Sequence, residues 1–144
     1  MYANYSPFAS RAQRASSAYS TVNVESGVLT ASPHRLVSML FEGLSESMNL
    51  AHGAIESGNL DLKIRNISRA LRILDEGLKA TLNLEAGPLA ADLKELYSYI
   101  CVRLTQANLH NDTAAIEECV RLMRPVREAW DSIGPDAAPQ ARFG

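Results

Sequence analysis

Leu29-Thr30-Ala31-Ser32-Pro33-His34-Arg35-Leu36-Val37-Ser38-Met39-Leu40-Phe41 divides a polar, small-residue leader from a long block with helical spacing. Ser32 is a preferred N-cap, whose hydroxyl can accept a bond from an otherwise unpartnered amide. Pro33 then falls at the first helical position, where its missing N–H is no loss. Downstream, Leu36, Leu40, Leu44, Met48, Ala51 and Ile55 recur at intervals of four or three, the period of a helix and not of a strand. The spacing predicts an amphipathic helix from Pro33 to about Ser57, stopped by Gly58.

Three more stripes follow. Asn59 and Asp61 can cap a second helix, whose seam Leu60, Ile64, Ile67, Leu71, Leu74, Leu78 and Leu82 is nearly heptad. Gly87-Pro88 opens a third with Leu89, Leu93, Leu96, Tyr97, Ile100, Leu104 and Ala107 on one face. Asn108 to Asp112 makes the last turn, and Ile116, Cys119, Val120, Met123, Val126, Trp130 and Ile133 trace the fourth stripe. Pro125 lies inside that helix, where it must release the carbonyl of Arg121, and a bend near Arg121 to Pro125 is expected. Short loops force successive helices to be antiparallel neighbours. The expected fold is therefore all-α, an antiparallel up-and-down four-helix bundle over residues 31–133. It is preceded by a loose, flexible N-terminal arm (1–30) and followed by a disordered C-terminal tail (134–144). Within the arm, Tyr19, Val22, Val24 and Val28 are apolar enough to lie against the bundle.

The bulk properties narrow the function. The 144 residues suit one domain, and a 47% apolar, 6% aromatic composition suits a core of Leu, Ile, Val and Ala. A net charge of −2 leaves no electrostatic footprint for nucleic acid. No run approaches the roughly 18 apolar residues of a membrane span, and the start lacks a secretory signal, so a cytoplasmic chain without stable membrane insertion is expected. Cys101 and Cys119 sit in apolar helical patterns and read as reduced. His34, His52 and His110 have no second histidine three or four residues away, and no Glu-x-x-His pair exists. They read as surface residues, and no metal or cofactor is expected. Phosphate-cradling glycine loops, a Gly-x-Ser-x-Gly elbow and a Cys-x-x-Cys pair are all missing, so no enzyme is expected. The streak Lys63, Arg65, Arg69 and Arg72 is partly offset by Asp75 and Glu76 and reads as a solvated face.

What the core does not absorb is a second set of apolar positions. In the second helix these are Leu62, Ala70, Ile73, Gly77, Ala80 and Leu84; in the third, Ala91, Tyr99, Val102 and Leu109; in the fourth, Ala115, Leu122, Val126, Ala129 and Ile133. Such arcs are wider than a four-helix core needs and fit a groove for an amphipathic segment of a partner.

Those residues, with Ala18-Tyr19, Thr30 to Gly43, Leu96-Tyr97-Ser98-Tyr99-Ile100, Arg103-Leu104, Ala107 to Asp112 and Arg127-Glu128-Ala129-Trp130 in that order, resemble the FliS family of cytoplasmic flagellar export chaperones. The resemblance implies a four-helix bundle that binds the disordered C-terminal segment of flagellin as short helices in apolar grooves and prevents premature polymerisation. It also implies delivery to the flagellar export gate and, in some members, a link to the flagellar anti-sigma factor. Protein-binding positions are then expected at Tyr19, Leu62, Ile73, Leu84, Tyr99, Val102, Leu109, Leu122, Val126 and Ile133. The other reading of the same stripes is a self-associating helical adaptor, which size measurement with and without flagellin would distinguish.

Overall fold

The computed structural model describes residues 31–134. Four α-helices account for most of them: α1 (Pro33–Ser57), α2 (Leu60–Arg72), α3 (Pro88–His110) and α4 (Thr113–Ile133). Each boundary has a local cause. Ser32 Oγ accepts from the Arg35 amide at 3.1 Å, with Pro33 in the first turn. Asn59 Oδ1 accepts from Leu62 N, and Asp112 Oδ1 from Ala115 N. Gly58 closes α1 at φ 74°, a left-handed conformation in which a side chain would be strained. Asn111 closes α3 at φ 51°, tolerable because a short polar side chain can bond locally. Replacing Ser32 by alanine is expected to remove about 1 kcal/mol of stability, as denaturant unfolding would show. An unchanged midpoint would mean that the hydroxyl contributes nothing.

α1 packs between α2 and α4, and α3 closes the ring by packing on α4 and α2. Cross-links at the ends fix the antiparallel sense. His34 at the start of α1 meets Trp130 near the end of α4. Lys63 at the start of α2 meets Asn108 and Asn111 at the end of α3, and His52 late in α1 meets Glu117 early in α4. The core is mostly aliphatic: Leu40, Leu44, Met48, Ile67, Leu74, Leu78, Ile100, Leu104 and Ile116 are all buried, with Trp130 sealing one end.

Several positions depart from the sequence expectation. α2 does not run on as one α-helix to Leu84. It passes into a π-helical turn (Ile73–Leu78), then a 3₁₀ turn (Lys79–Thr81), and Leu84 falls in a separate 3₁₀ turn, Leu84–Ala86. A π turn widens the spacing of hydrogen-bonded groups, and here Ile73, Leu74, Gly77 and Leu78 all face inward. The seam of α2 is correspondingly rotated. Leu60 and Ile64 are exposed, while Lys63, Asn66, Ile67 and Ala70 are buried. A buried lysine is tolerated because its Nζ donates to Asn108 O (2.9 Å) and Asn111 Oδ1 (2.7 Å), placing a cation at the negative end of the α3 dipole. Leu89, expected in the core, is exposed. α4 is unbroken from Thr113 to Ile133. Pro125 lies on its exposed side, where the carbonyl released at Arg121 is next to water.

His34, expected at the surface, is buried. Its ring stacks on the Trp130 indole, centroids 4.7 Å apart and planes 11° from parallel. His34 Nε2–H donates to the Trp130 carbonyl (2.9 Å), and Trp130 Nε1–H donates to the His34 carbonyl (3.2 Å). Both polar groups are thereby satisfied inside an apolar environment.

Candidate functional site: the apolar surface around α3

α3 carries two faces beyond its buried one. At about 100° per residue, Ala90, Leu93, Tyr97, Ile100, Leu104 and Ala107 point inward, while Ala91, Tyr99, Val102 and Leu109 fall outside that arc. The structure leaves Tyr99 44% exposed, Val102 54% and Leu109 72%. Values of this size for large apolar side chains, on the helix with the weakest segregation of polar from apolar faces, mark a surface that water covers poorly.

Two edges of α3 continue this surface onto its neighbours. Towards α4, Arg103 Nε and the Tyr99 hydroxyl both donate to Glu118, each at 2.7 Å. Those bonds place the edge containing Leu89, Leu96 and Tyr99 beside the α4 edge containing Leu122, Val126, Ala129 and Ile133. Leu122, Val126 and Ile133 are half-buried there and lean on the core from outside. Towards α2, Lys63 reaches Asn108 and Asn111, and the Cys101 thiol lies 3.8 Å from Asp75. The exposed Leu60 and Ile64 belong to the same α2 edge and so flank the Val102 and Leu109 side. Leu84, also exposed, lines a shallow depression with Ala91 and the polar Lys94, Glu95 and Ser98.

The electrostatics hold this surface in place without supplying reactive groups. Hydrogen bonds from Tyr99 and Arg103 hold the Glu118 carboxyl below its ordinary range, and the bond to Glu118 raises the Tyr99 phenol. The Tyr99 ring is thus tethered by its hydroxyl while its edge remains open. Burial pushes the Cys101 thiol up to about 11 and the Cys119 thiol up to about 12. Both are free and protonated at neutral pH, which removes them as nucleophiles. Among the described residues, no three or more His, Cys, Asp or Glu side chains gather as a metal site, and no helix is long and apolar enough to cross a membrane.

The positions predicted from sequence divide accordingly. Tyr99, Val102 and Leu109 lie together on the outer face of α3, Leu122, Val126 and Ile133 on the adjoining α4 edge, and Leu84 at the turn leading into α3. Leu62 is half-buried on the other edge of α2, where Arg69 bonds Glu46 of α1. Ile73 is a correction: it is fully buried, as are Ala70 and Ala80 from the same stripe, because that edge of α2 packs against α1. Tyr19 lies outside the described residues. Leu60, Ile64 and Leu89 were missed as surface positions. Each continues a stripe whose other members are core, so spacing alone marks them as buried.

The sequence profile of the family described as "Flagellar protein FliS" matches residues 15–137. The flagellar secretion chaperone FliS of Salmonella typhimurium is 46% identical over 124 residues, covering 85% of this chain and 92% of the relative. That of Escherichia coli is 39% identical over 83% of this chain and 88% of its own length. The chaperone FliSB of Pseudomonas aeruginosa is 37% identical over 85% and 97% respectively. With the family profile matching most of the chain and relatives at 37–46% identity along nearly their whole length, the chain belongs to the FliS family of flagellar secretion chaperones.

Proposed function

We propose that this chain is a cytoplasmic export chaperone that holds the C-terminal segment of flagellin against the apolar surface around α3 and carries it to the flagellar export gate. The observation that carries this reading is the exposed line Tyr99, Val102 and Leu109 flanked by the half-buried α4 edge Leu122, Val126 and Ile133. A flagellin segment that cannot bury its own apolar side is stabilised by folding onto such a surface, at the cost of its chain entropy. While so occupied it cannot join a filament. The contact must also be reversible, which suits two open strips better than an enclosed cavity. Leu62, Leu84 and Tyr19 are candidate outer contacts, and the flagellar anti-sigma factor is a candidate second partner.

Val102→Asp is expected to weaken flagellin binding at least about tenfold, since a carboxylate at the contact must be desolvated, while circular dichroism stays that of the parent. The accompanying experiment is co-purification with intact flagellin and with flagellin lacking its C-terminal segment. Retention of both forms equally would overturn the proposal. If the free chain is a dimer that Val102→Asp dissociates, and flagellin leaves its size unchanged, the surface serves self-association instead.

A further inference from the structure

The side of α4 turned away from α3 is built differently. Between α1 and α4 run two adjoining depressions that share Asn49, Val120 and Arg124. The first, of about 210 Å³, is floored by Phe41, Leu44, Met48 and Met123. The second, of about 370 Å³, continues to His52 and Glu117. Successive turns of α4 line this groove with Arg121, Arg124 and Arg127, while α1 contributes the uncharged Ser45 and Asn49. Of the negative groups nearby, Glu117 is engaged with His52 at 2.7 Å, Glu118 with Arg103 at 2.7 Å and Asp131 with Arg127 at 3.9 Å, while the exposed Glu128 stands one turn beyond Arg124 without closing an ion pair to it. Arg121 and Arg124 are exposed and form no ion pair within 4 Å among the described residues.

Guanidinium groups are planar, weakly hydrated forks that match carboxylates in two-bond geometry. Two of them one turn apart beside a floor containing two methionines, which adapt to varied shapes, suit carboxylates flanking an apolar residue. We infer that the α1–α4 groove is a second docking surface, taking an acidic segment of a partner protein that sets one apolar side chain over Met48 and Met123 and its carboxylates on Arg121 and Arg124. A polyanionic nucleic acid is disfavoured by the net charge of −2 and would leave the apolar floor unused. The inference stands apart from the flagellin reading, because the groove lies on the α1 side of α4 and shares no residue with the α3 surface.

The probe is a fluorescein-labelled helical peptide of about four turns, with leucines along one face and glutamates beside them, compared with the same peptide carrying lysines. Anisotropy is read on the full chain. The glutamate peptide is expected to bind and the lysine peptide not. Arg121→Glu with Arg124→Glu should weaken binding at least tenfold, as should raising salt well above the physiological range, whereas Val102→Asp should not change it. Arg121→Gln with Arg124→Gln serves the same purpose should charge reversal disturb the fold. Equal binding of the two peptides, persistence in both double variants, or loss on Val102→Asp overturns the proposal. So does tighter binding of a labelled single-stranded oligonucleotide at the same site. A dimer that the double variant dissociates makes a second copy the occupant, and hydrogen-exchange protection of residues 1–30 or 135–144 that the double variant removes makes it a segment of this chain. Either result also overturns it.

Discussion

Replacing Ile73 by aspartate is expected to unfold most of the protein. Ile73 is fully buried in the π-helical turn, within the cluster formed by Leu40, Leu74, Leu78 and Ile100. A carboxylate there would enter an apolar cluster, and burying a charge among aliphatic side chains costs at least several kcal/mol. Small domains are stable by only about 5–15 kcal/mol, so that one change removes most of the margin. Helicity should collapse, and with it the flagellin binding proposed above, whereas Ile73→Val, a loss of one methyl, should cost only about 0.5–1.5 kcal/mol. The measurement is urea unfolding of the three proteins, followed by circular dichroism and client binding. A well-folded Ile73→Asp with normal unfolding would mean that this side chain faces solvent. The contrast with Val102→Asp is informative: both residues are apolar and both fall in secondary stripes, yet one is closed against α1 and the other is open on α3.

The second large effect is expected at the closed end of the bundle. Trp130→Ala deletes the largest fully buried side chain, its stacking on His34 and the indole donor to the His34 carbonyl. Large-to-small changes of this kind cost about 3–5 kcal/mol, which for a domain of this size lowers the thermal midpoint by more than about 10 °C. Trp130→Phe keeps an aromatic face for His34 but removes the indole donor to the His34 carbonyl, which keeps its intrahelical bond, and should lose clearly less. Trp130 is the only tryptophan, so its emission in the parent reports directly on the clasp between the ends of α1 and α4. Calorimetry of the two variants decides the matter. A loss under about 1 kcal/mol for Trp130→Ala would show that the clasp contributes little beyond covering the core.

The helix boundaries, except the end of α2 at Arg72, were legible from residues next to one another in sequence. Ser32-Pro33, Gly58-Asn59, Gly87-Pro88 and Asn111-Asp112 act through backbone conformation and through bonds spanning two to four residues, so no tertiary information is needed to read them. The helical period was likewise legible, and with short loops it implied antiparallel neighbours and hence the bundle. On α3, where the buried and exposed apolar stripes are well separated, the outward set Tyr99, Val102 and Leu109 could also be found in advance.

Which edge of each remaining helix is covered was decided only by the tertiary structure. Periodicity gives the direction of an apolar stripe about its own axis but does not say where the neighbouring helices stand. Leu62 and Ile73 therefore look equivalent on paper to Leu109 and Val102, while Leu60, Ile64 and Leu89 look like core. The π turn at Ile73–Leu78 shifts the phase of α2 partway along, and no single residue announces it. Lys63 and His34 read as surface residues because the groups that satisfy them lie 45 and 96 positions away. A polar side chain's burial depends on a partner delivered by folding, and that partner is invisible in the residues around it.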